Sequence, residues 1–320
     1  MSKRTIVVNL DLSETYLNEI KKIAPGWDVV AEKDPEVISD ELKKAEIVAR
    51  WNKTIEPIIL EKNTNLKWIQ TWSAGVNSLP LEALQKRNVS ITSANGVHAY
   101  PISETIFALM LGLTRKIHTY VRQQLNKTWD NANLKHEIHE KTIGIIGVGA
   151  IGQETAKIAK AFGMNVLGVR RSGVLTKYVD QMYTPDQLEE ILPQCDIVVI
   201  TLPLTEETTN LFAAEQFKQM KDSAILINIG RGQIVVEDDL IQALQNNEIA
   251  GAGLDVFATE PLPEDSPLWN MENVIVTPHT AGATEYYTDR VIKDIFIPNL
   301  KRYIQDGELG INVVDYEKGY

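Results

Sequence analysis

The chain of 320 residues is 44% hydrophobic and 23% charged, an ordinary globular composition, at a length that suggests about two domains. A formal net charge of −11, a pI of 5.1 and the lack of a Lys/Arg-rich block argue against a nucleic-acid backbone as partner. The single cysteine, Cys195, excludes an intramolecular disulfide and fits a reducing compartment, so a cytoplasmic location is expected.

The opening MSKRTIVVNL runs straight into a strand pattern, without the apolar core of a secretion signal. TIVVNL, WDVVAE, EIVARW, KWIQTW and NVSITS then read as short strands, separated by helical stretches such as SETYLNEIKKIA and VISDELKKA. This alternation predicts a parallel sheet with helices on both faces, ending near Gly96. HAYPISETIFALMLGLTRKIHTYVRQQLNK reads as one long helix started at Pro101. Behind Ser103, Ile106, Leu109, Met110, Leu113 and Ile117 fall at helical spacing. Its apolar centre, IFALMLGL, is too short to span a bilayer, and no membrane partner is expected.

A second alternating series starts at KTIGIIGVGAIG and continues through MNVLGV, DIVVITLP, AILINIG, AGAGLDVF and NVIVTP. Its six strands match a full doubly wound dinucleotide-binding sheet. The tail TEYYTDRVIKDIFIPNLKRYIQDG reads as a helix that returns to cover the first domain. The expected fold is α/β, with two doubly wound parallel-sheet domains and a cleft between them. A flavodoxin-like substrate domain takes residues 1–98 and 287–320, and a Rossmann dinucleotide-binding domain takes 99–286.

Gly147, Gly149 and Gly152 form G-x-G-x-x-G directly after the apolar TIGII and before the helical QETAKIAKAF. The first glycine permits the tight turn, the second lets the backbone approach a pyrophosphate, and the third lets helix and strand pack closely. The pyrophosphate then rests on the unpaired N–H groups of the helix start, at Ala150 and Ile151. About twenty residues further on, such folds place an acid that accepts bonds from the ribose 2′-OH. Here the position reads Arg170-Arg171-Ser172. A guanidinium fork suits a 2′-phosphate instead, so NADP(H) is the expected cofactor, with NAD(H) possible.

Three polar residues end strands of the second series: Arg231 after AILINIG, Glu260 after GLDVFAT and His279 after NVIVTP. Ligands of doubly wound sheets bind at the carboxyl ends of strands, so all three should face the crevice. Asp255 ends its own strand and could also reach the cofactor. Adding a hydride to a 2-oxo acid needs an anchor for the carboxylate, an electrophile for the carbonyl oxygen and a proton donor. An arginine serves the first two and a histidine the third. A glutamate on the other ring nitrogen favours the imidazolium form.

NIGRG, LDVFATEPLP and TPHTAGAT, in this order after GVGAIG, resemble the D-isomer-specific 2-hydroxyacid dehydrogenases over essentially the whole chain. The motifs are specific as a set. The resemblance implies that Arg231 binds substrate and that His279 is the general acid/base, with Glu260 as its partner. TWSAGVNSL is similar to the family's carboxylate-binding loop, which implies Ala74, Gly75 and Val76 as substrate contacts through backbone N–H groups. LPLTEETTNLF is similar to the stretch lying along the cofactor, with Leu202, Pro203 and Thr208 as contacts. Ile229, Ala281 and Gly282 are further cofactor contacts implied by the matching motifs. Gly230 stands where many relatives carry Ala, a change read as minor. With GVHAYPISE, the arginine pair resembles the NADPH-dependent glyoxylate/hydroxypyruvate reductase-like branch. That implies a small 2-oxo or 2-hydroxy acid as substrate, and the long helix is similar to the arm through which family members form homodimers.

Other residues divide by context. Trp51 either walls the substrate pocket or packs in a core or hinge, Trp72 reads as core, and Trp129 follows the dimer arm. His98 reads as a backbone-bonded histidine at the hinge. His136 and His139 have helical i, i+3 spacing but no further ligand cluster, so no metal is expected. Cys195 reads as a buried structural thiol. The competing readings are an NAD-using D-lactate or phosphoglycerate-type dehydrogenase, and a nucleotide-sensing regulator on the same fold.

Overall fold

The computed structural model describes residues 3–62, 64–76, 78–131 and 133–317. Its internal contacts divide the chain into two units, Met1–Val97 with Thr284–Tyr320, and His98–Ala283. In the first unit the strands are β1 (Thr5–Val8), β2 (Asp28–Ala31), β3 (Ile47–Ala49), β4 (Trp68–Gln70) and β5 (Ser90–Thr92). All pairings are parallel, in the order β2-β1-β3-β4-β5, the flavodoxin-like arrangement. Alternate residues serve opposite faces. Val7, Val48, Ile69 and Ile91 enter one core, and Ile6, Val8, Ile47, Ala49 and Trp68 enter the other. Burial on both faces is why these strands read as apolar runs.

The C-terminal helical segment belongs to this unit, and Phe296 stacks on Trp68 with ring centroids 5.2 Å apart. It comprises Tyr287–Arg290, a wider π-helical stretch Val291–Phe296 and Ile297–Asp306. The widened turn ends just before Pro298, whose missing N–H cannot continue the α ladder.

The second unit holds β6 (Thr142–Ile146), β7 (Asn165–Val169), β8 (Gln181–Tyr183), β9 (Ile197–Ile200), β10 (Ile225–Asn228), β11 (Gly251–Leu254) and β12 (Val274–Val276). They form one parallel sheet in the order β12-β11-β10-β9-β6-β7-β8. This has seven strands, not the expected six. The addition, β8, is a three-residue edge strand with one neighbour and no fully buried residue, so it leaves no apolar run to read.

The expected long helix is two helices, Ala99–Thr114 and Ile117–Leu125. Lys116 between them has φ +55°, and the ring nitrogens of His118 lie 2.8 Å from the carbonyls of Gly112 and Glu272. Ile106, Leu109, Met110 and Leu113 are buried as expected, whereas Ile117 is half exposed. The first helix lies on the sheet, where Leu109 fits against Gly253 and Ile275 against Gly112. His136 and His139 fall in irregular chain, not a helix, and no metal-binding cluster is found among the described residues. His139 Nδ1 lies 3.1 Å from the Phe162 carbonyl instead. No helix among the described residues is long and apolar enough to cross a membrane.

Candidate active site

β6 ends at Ile146 and the chain turns sharply at Gly147, where φ is +112° and a side chain would also press on Thr201 and Leu202. The turn is pinned by Gly147 and Val148 N–H donating to the Val169 carbonyl, both at 3.0 Å. A Cβ on Gly152 would lie 2.5 Å from the Gly147 carbonyl oxygen, which explains that glycine by close packing. Gly149 differs: a Cβ there would meet no protein atom. It caps the helix Ala150–Ala161, so open space adjoins the positive end of a twelve-residue helix. A pyrophosphate fits this arrangement in charge and in room. Ala150 is exposed and Ile151 half-buried beside it.

Arg170, Arg171 and Ser172 follow β7 directly. Arg170 N–H donates to the Tyr183 carbonyl of β8 at 2.9 Å, so the edge strand missed in the sequence fixes the start of this loop. Arg171 is largely exposed and its Nη2 pairs with Glu207 at 2.9 Å. Glu207 sits on the 203–208 turn, which closes on itself through Thr208 Oγ1 donating to the Pro203 carbonyl at 2.8 Å. Leu202 is half-buried and Pro203 exposed just after β9, and Ile229 is buried.

The loop after β10 is held from below by Asn228, which is 1% exposed. Its Oδ1 accepts from Gly230 N–H at 3.0 Å, and its Nδ2 donates to the Arg231 carbonyl at 3.2 Å. Arg231 itself is exposed, with Nη1 donating to the Gly230 carbonyl. A Cβ on Gly230 would lie 2.7 Å from the Leu202 carbonyl oxygen, so alanine is not a minor change in this backbone. Gly232 is tighter still: a Cβ there would lie 1.9 Å from the Phe257 carbonyl group. The Arg231 loop and the loop carrying Glu260 therefore touch backbone to backbone. Gln233 Nε2 donating to the Ala258 carbonyl at 3.0 Å joins them further.

Glu260 Oε1 accepts from Phe257 N–H at 3.0 Å and its Oε2 lies 2.7 Å from His279 Nδ1. Burial works against the charged carboxylate. The bonds from His279 and Phe257 and the positive charge of Arg231 overcome it and hold Glu260 below the usual carboxylate range. No Arg231–Glu260 ion pair forms among the described residues. His279 has φ +52°, an uncommon conformation for histidine that the surrounding loop must enforce. The enforcing group is Asp255, 1% exposed. It accepts from Thr277 Oγ1 at 2.6 Å, Thr280 N–H at 2.9 Å and Ala281 N–H at 3.0 Å. These bonds occupy both its oxygens, so in this structure Asp255 shapes the histidine loop. Ala281 is buried, and the Gly282 carbonyl lies 3.1 Å from His98 Nδ1, the backbone bond expected of that histidine.

The sequence reading missed the positioning parts of this site, Asn228, Thr277 and Gly232. Asn228 had a signal, a polar residue closing the apolar run AILIN. Gly232 had none, because its constraint comes from a loop 25 residues away in sequence.

In the first unit, Ser73 Oγ donates to the Gly75 carbonyl at 2.7 Å, which closes the turn of Ala74 and Gly75. A Cβ on Gly75 would meet no protein atom, and the Val76 side chain is wholly buried, so only its backbone could meet a ligand. Trp51 packs partly buried on the core beside β3, and Trp72 packs on the core while its carbonyl accepts from Tyr287 Oη at 2.8 Å. Cys195 is fully buried and its thiol is pushed up to about 12 by burial, an inert group.

Comparison with known proteins agrees with this architecture. The profile described as "D-isomer specific 2-hydroxyacid dehydrogenase, NAD binding domain" matches residues 107–281. A glyoxylate reductase of Korarchaeum cryptofilum (strain OPF8) is 32% identical, over 98% of this chain and 97% of its own. Glyoxylate/hydroxypyruvate reductase B of Salmonella schwarzengrund (strain CVM19633) is 39% identical over 73% of this chain and 74% of its own. The crystal structure of an NADPH-dependent glyoxylate/hydroxypyruvate reductase from Sinorhizobium meliloti, in complex with NADP and sulfate, superimposes with a TM-score of 0.78. It is 27% identical and covers 99% of this chain and 100% of its own. The chain belongs to the D-isomer specific 2-hydroxyacid dehydrogenase family, in its glyoxylate/hydroxypyruvate reductase-like branch, and carries that family's nicotinamide-dinucleotide-binding domain.

Proposed function

We propose that this chain reduces a small 2-oxo acid of the glyoxylate or hydroxypyruvate kind to the D-2-hydroxy acid with NADPH, in the cytoplasm. The observation that carries the reading is the 2.7 Å contact of His279 Nδ1 with Glu260, in a loop anchored on buried Asp255. It commits one ring nitrogen to the carboxylate and leaves Nε2 to deliver a proton. NADPH, when bound, supplies the hydride to the carbonyl carbon. Arg231 anchors the substrate carboxylate and polarises the carbonyl. His279 protonates the developing alkoxide from Nε2 and keeps its Nδ1 proton on Glu260, which offsets the imidazolium charge. The cofactor is held by the Gly147–Gly152 turn, by Leu202, Pro203 and Thr208, and by Ile229, Ala281 and Gly282.

The cofactor preference rests on Arg170 and Arg171, which stand at the end of β7 where an acid would select NADH. Arg170→Asp combined with Arg171→Ala is expected to weaken NADPH use by about one to two orders of magnitude and to improve NADH use. Steady-state rates with both cofactors test this, and an unchanged preference refutes it. The chain acts as a homodimer in this reading. Ile117, Val121 and Leu125 form an exposed apolar stripe at four-residue spacing on the second helix, with Trp129 fully exposed beyond it.

A further inference from the structure

Arg171 is not waiting alone at the end of β7. Its guanidinium is paired with Glu207, Nη2 to Oε2 at 2.9 Å, and the acid comes from the turn after β9 rather than from the arginine loop. That turn holds itself in place. Thr205 N–H donates to Thr208 Oγ1 at 2.8 Å, Thr209 Oγ1 donates to the Thr205 carbonyl at 2.7 Å, and Asn210 N–H donates to the Gln233 carbonyl at 2.9 Å. The arginine side is fixed as well, by Arg170 N–H on Tyr183 and by Gly173 N–H on the Arg170 carbonyl at 2.9 Å. Two independently braced turns therefore present opposite charges to each other at the open edge of the sheet. Both side chains remain about 70% exposed, 69% for Arg171 and 75% for Glu207. A pair so placed is weak enough to be broken by a better anion.

We propose that Glu207 is the resident counter-ion of Arg171, which the 2′-phosphate of the cofactor must displace, so that Glu207 limits how strongly this chain prefers NADPH over NADH. The inference rests on the NADPH reading above. A phosphate dianion offers Arg171 more charge and more acceptors than one carboxylate, so exchange favours the phosphate. The exchange still costs the existing pair, and it leaves Glu207 as a like charge beside the phosphate. Both costs vanish when the acid is neutralised. A ribose 2′-OH brings no charge to Arg171 and leaves the pair in place, so NADH binding is indifferent to Glu207.

The test uses cofactor fragments and needs no turnover. 2′,5′-ADP and 5′-AMP are titrated calorimetrically into the full-length protein and into Glu207→Gln, Arg171→Ala and the double variant. Glu207→Gln is expected to tighten 2′,5′-ADP by about two- to fivefold and to leave 5′-AMP unchanged. The gain should shrink as salt is raised from about 50 to 500 mM, because an exposed pair is screened. In the Arg171→Ala background the same change should gain less, which a double-mutant cycle reads as coupling between the two positions. Unchanged or weaker 2′,5′-ADP binding in Glu207→Gln overturns the inference, and so does an equal change in both fragments. If Arg171→Ala weakens 2′,5′-ADP while Glu207→Gln does nothing, only the counter-ion role fails. If the protein does not distinguish 2′,5′-ADP from 5′-AMP at all, the NADPH reading fails and takes this inference with it.

Discussion

The loops after β10, β11 and β12 are tied to buried side chains, whereas the loop after β7 is held by backbone bonds, one of them to β8, and a surface ion pair. Both lie at the carboxyl edge of one sheet. Asn228 and Asp255 are each 1% exposed and between them fix the backbone around Arg231 and His279. Gly232 locks the neighbouring loop against Phe257. Arg171, by contrast, stands in solvent. Under the proposed function, the difference matches the work each region would do. Proton transfer and carbonyl polarisation need groups placed before the reaction begins, and buried anchors supply that. Choosing between a phosphate and a hydroxyl needs charge of the right sign, which an exposed arginine provides without tight geometry.

That contrast can be broken most severely at the histidine. His279→Ala is expected to lower kcat by about 10²–10⁴ while NADPH still binds with nearly unchanged affinity. Stopped-flow fluorescence with steady-state rates separates the two, and a parallel loss of binding would give His279 a structural role instead. Asp255→Ala sharpens the comparison by removing an anchor rather than a reacting group. It strands two backbone N–H groups and a hydroxyl, each costing about 1–3 kcal/mol if left buried without a partner. Thermal denaturation should show a clear loss of stability together with lower kcat, whereas an arginine change at the β7 edge should leave the melting temperature within about 2 °C.

The smallest effect concerns pH. Because Glu260 is held below its ordinary value, its contribution is present above the unfolded carboxylate value and is lost only as pH falls through the depressed folded one. The Nδ1 proton resonance of His279 should therefore survive at pH about 4.5, where an ordinary glutamate is half protonated. In Glu260→Gln it should lose that protection. Loss of the resonance in the unmodified protein at that pH would contradict the account.

Much of the fold is legible in the chain because burial on both sheet faces writes apolar runs, and Arg231, Glu260 and His279 stand out because each is a polar residue following a strand of the second sheet. β8 was not legible, since Gln181–Tyr183 pairs on one side only and is never fully buried. The break at Lys116 was hidden by side chains whose helical spacing continues across it. Asp255 reads in the sequence as a strand-end acid that could reach the cofactor, and its bonds to Thr277, Thr280 and Ala281 cannot be read there, because sequence gives the strand end but not where a buried carboxylate points. Gly232 and Glu207 depend on loops distant in sequence meeting in space, and no local pattern encodes that.

The central claim is that this sheet edge joins a proton-donating histidine to an NADPH-selecting arginine pair. Its most direct test is the initial rate of NADPH and of NADH oxidation by the purified protein with glyoxylate, hydroxypyruvate, pyruvate and bulkier 2-oxo acids. The account predicts oxidation of NADPH faster than NADH with at least one of the small acids. No oxidation with any of them, or a clear preference for NADH, would contradict it.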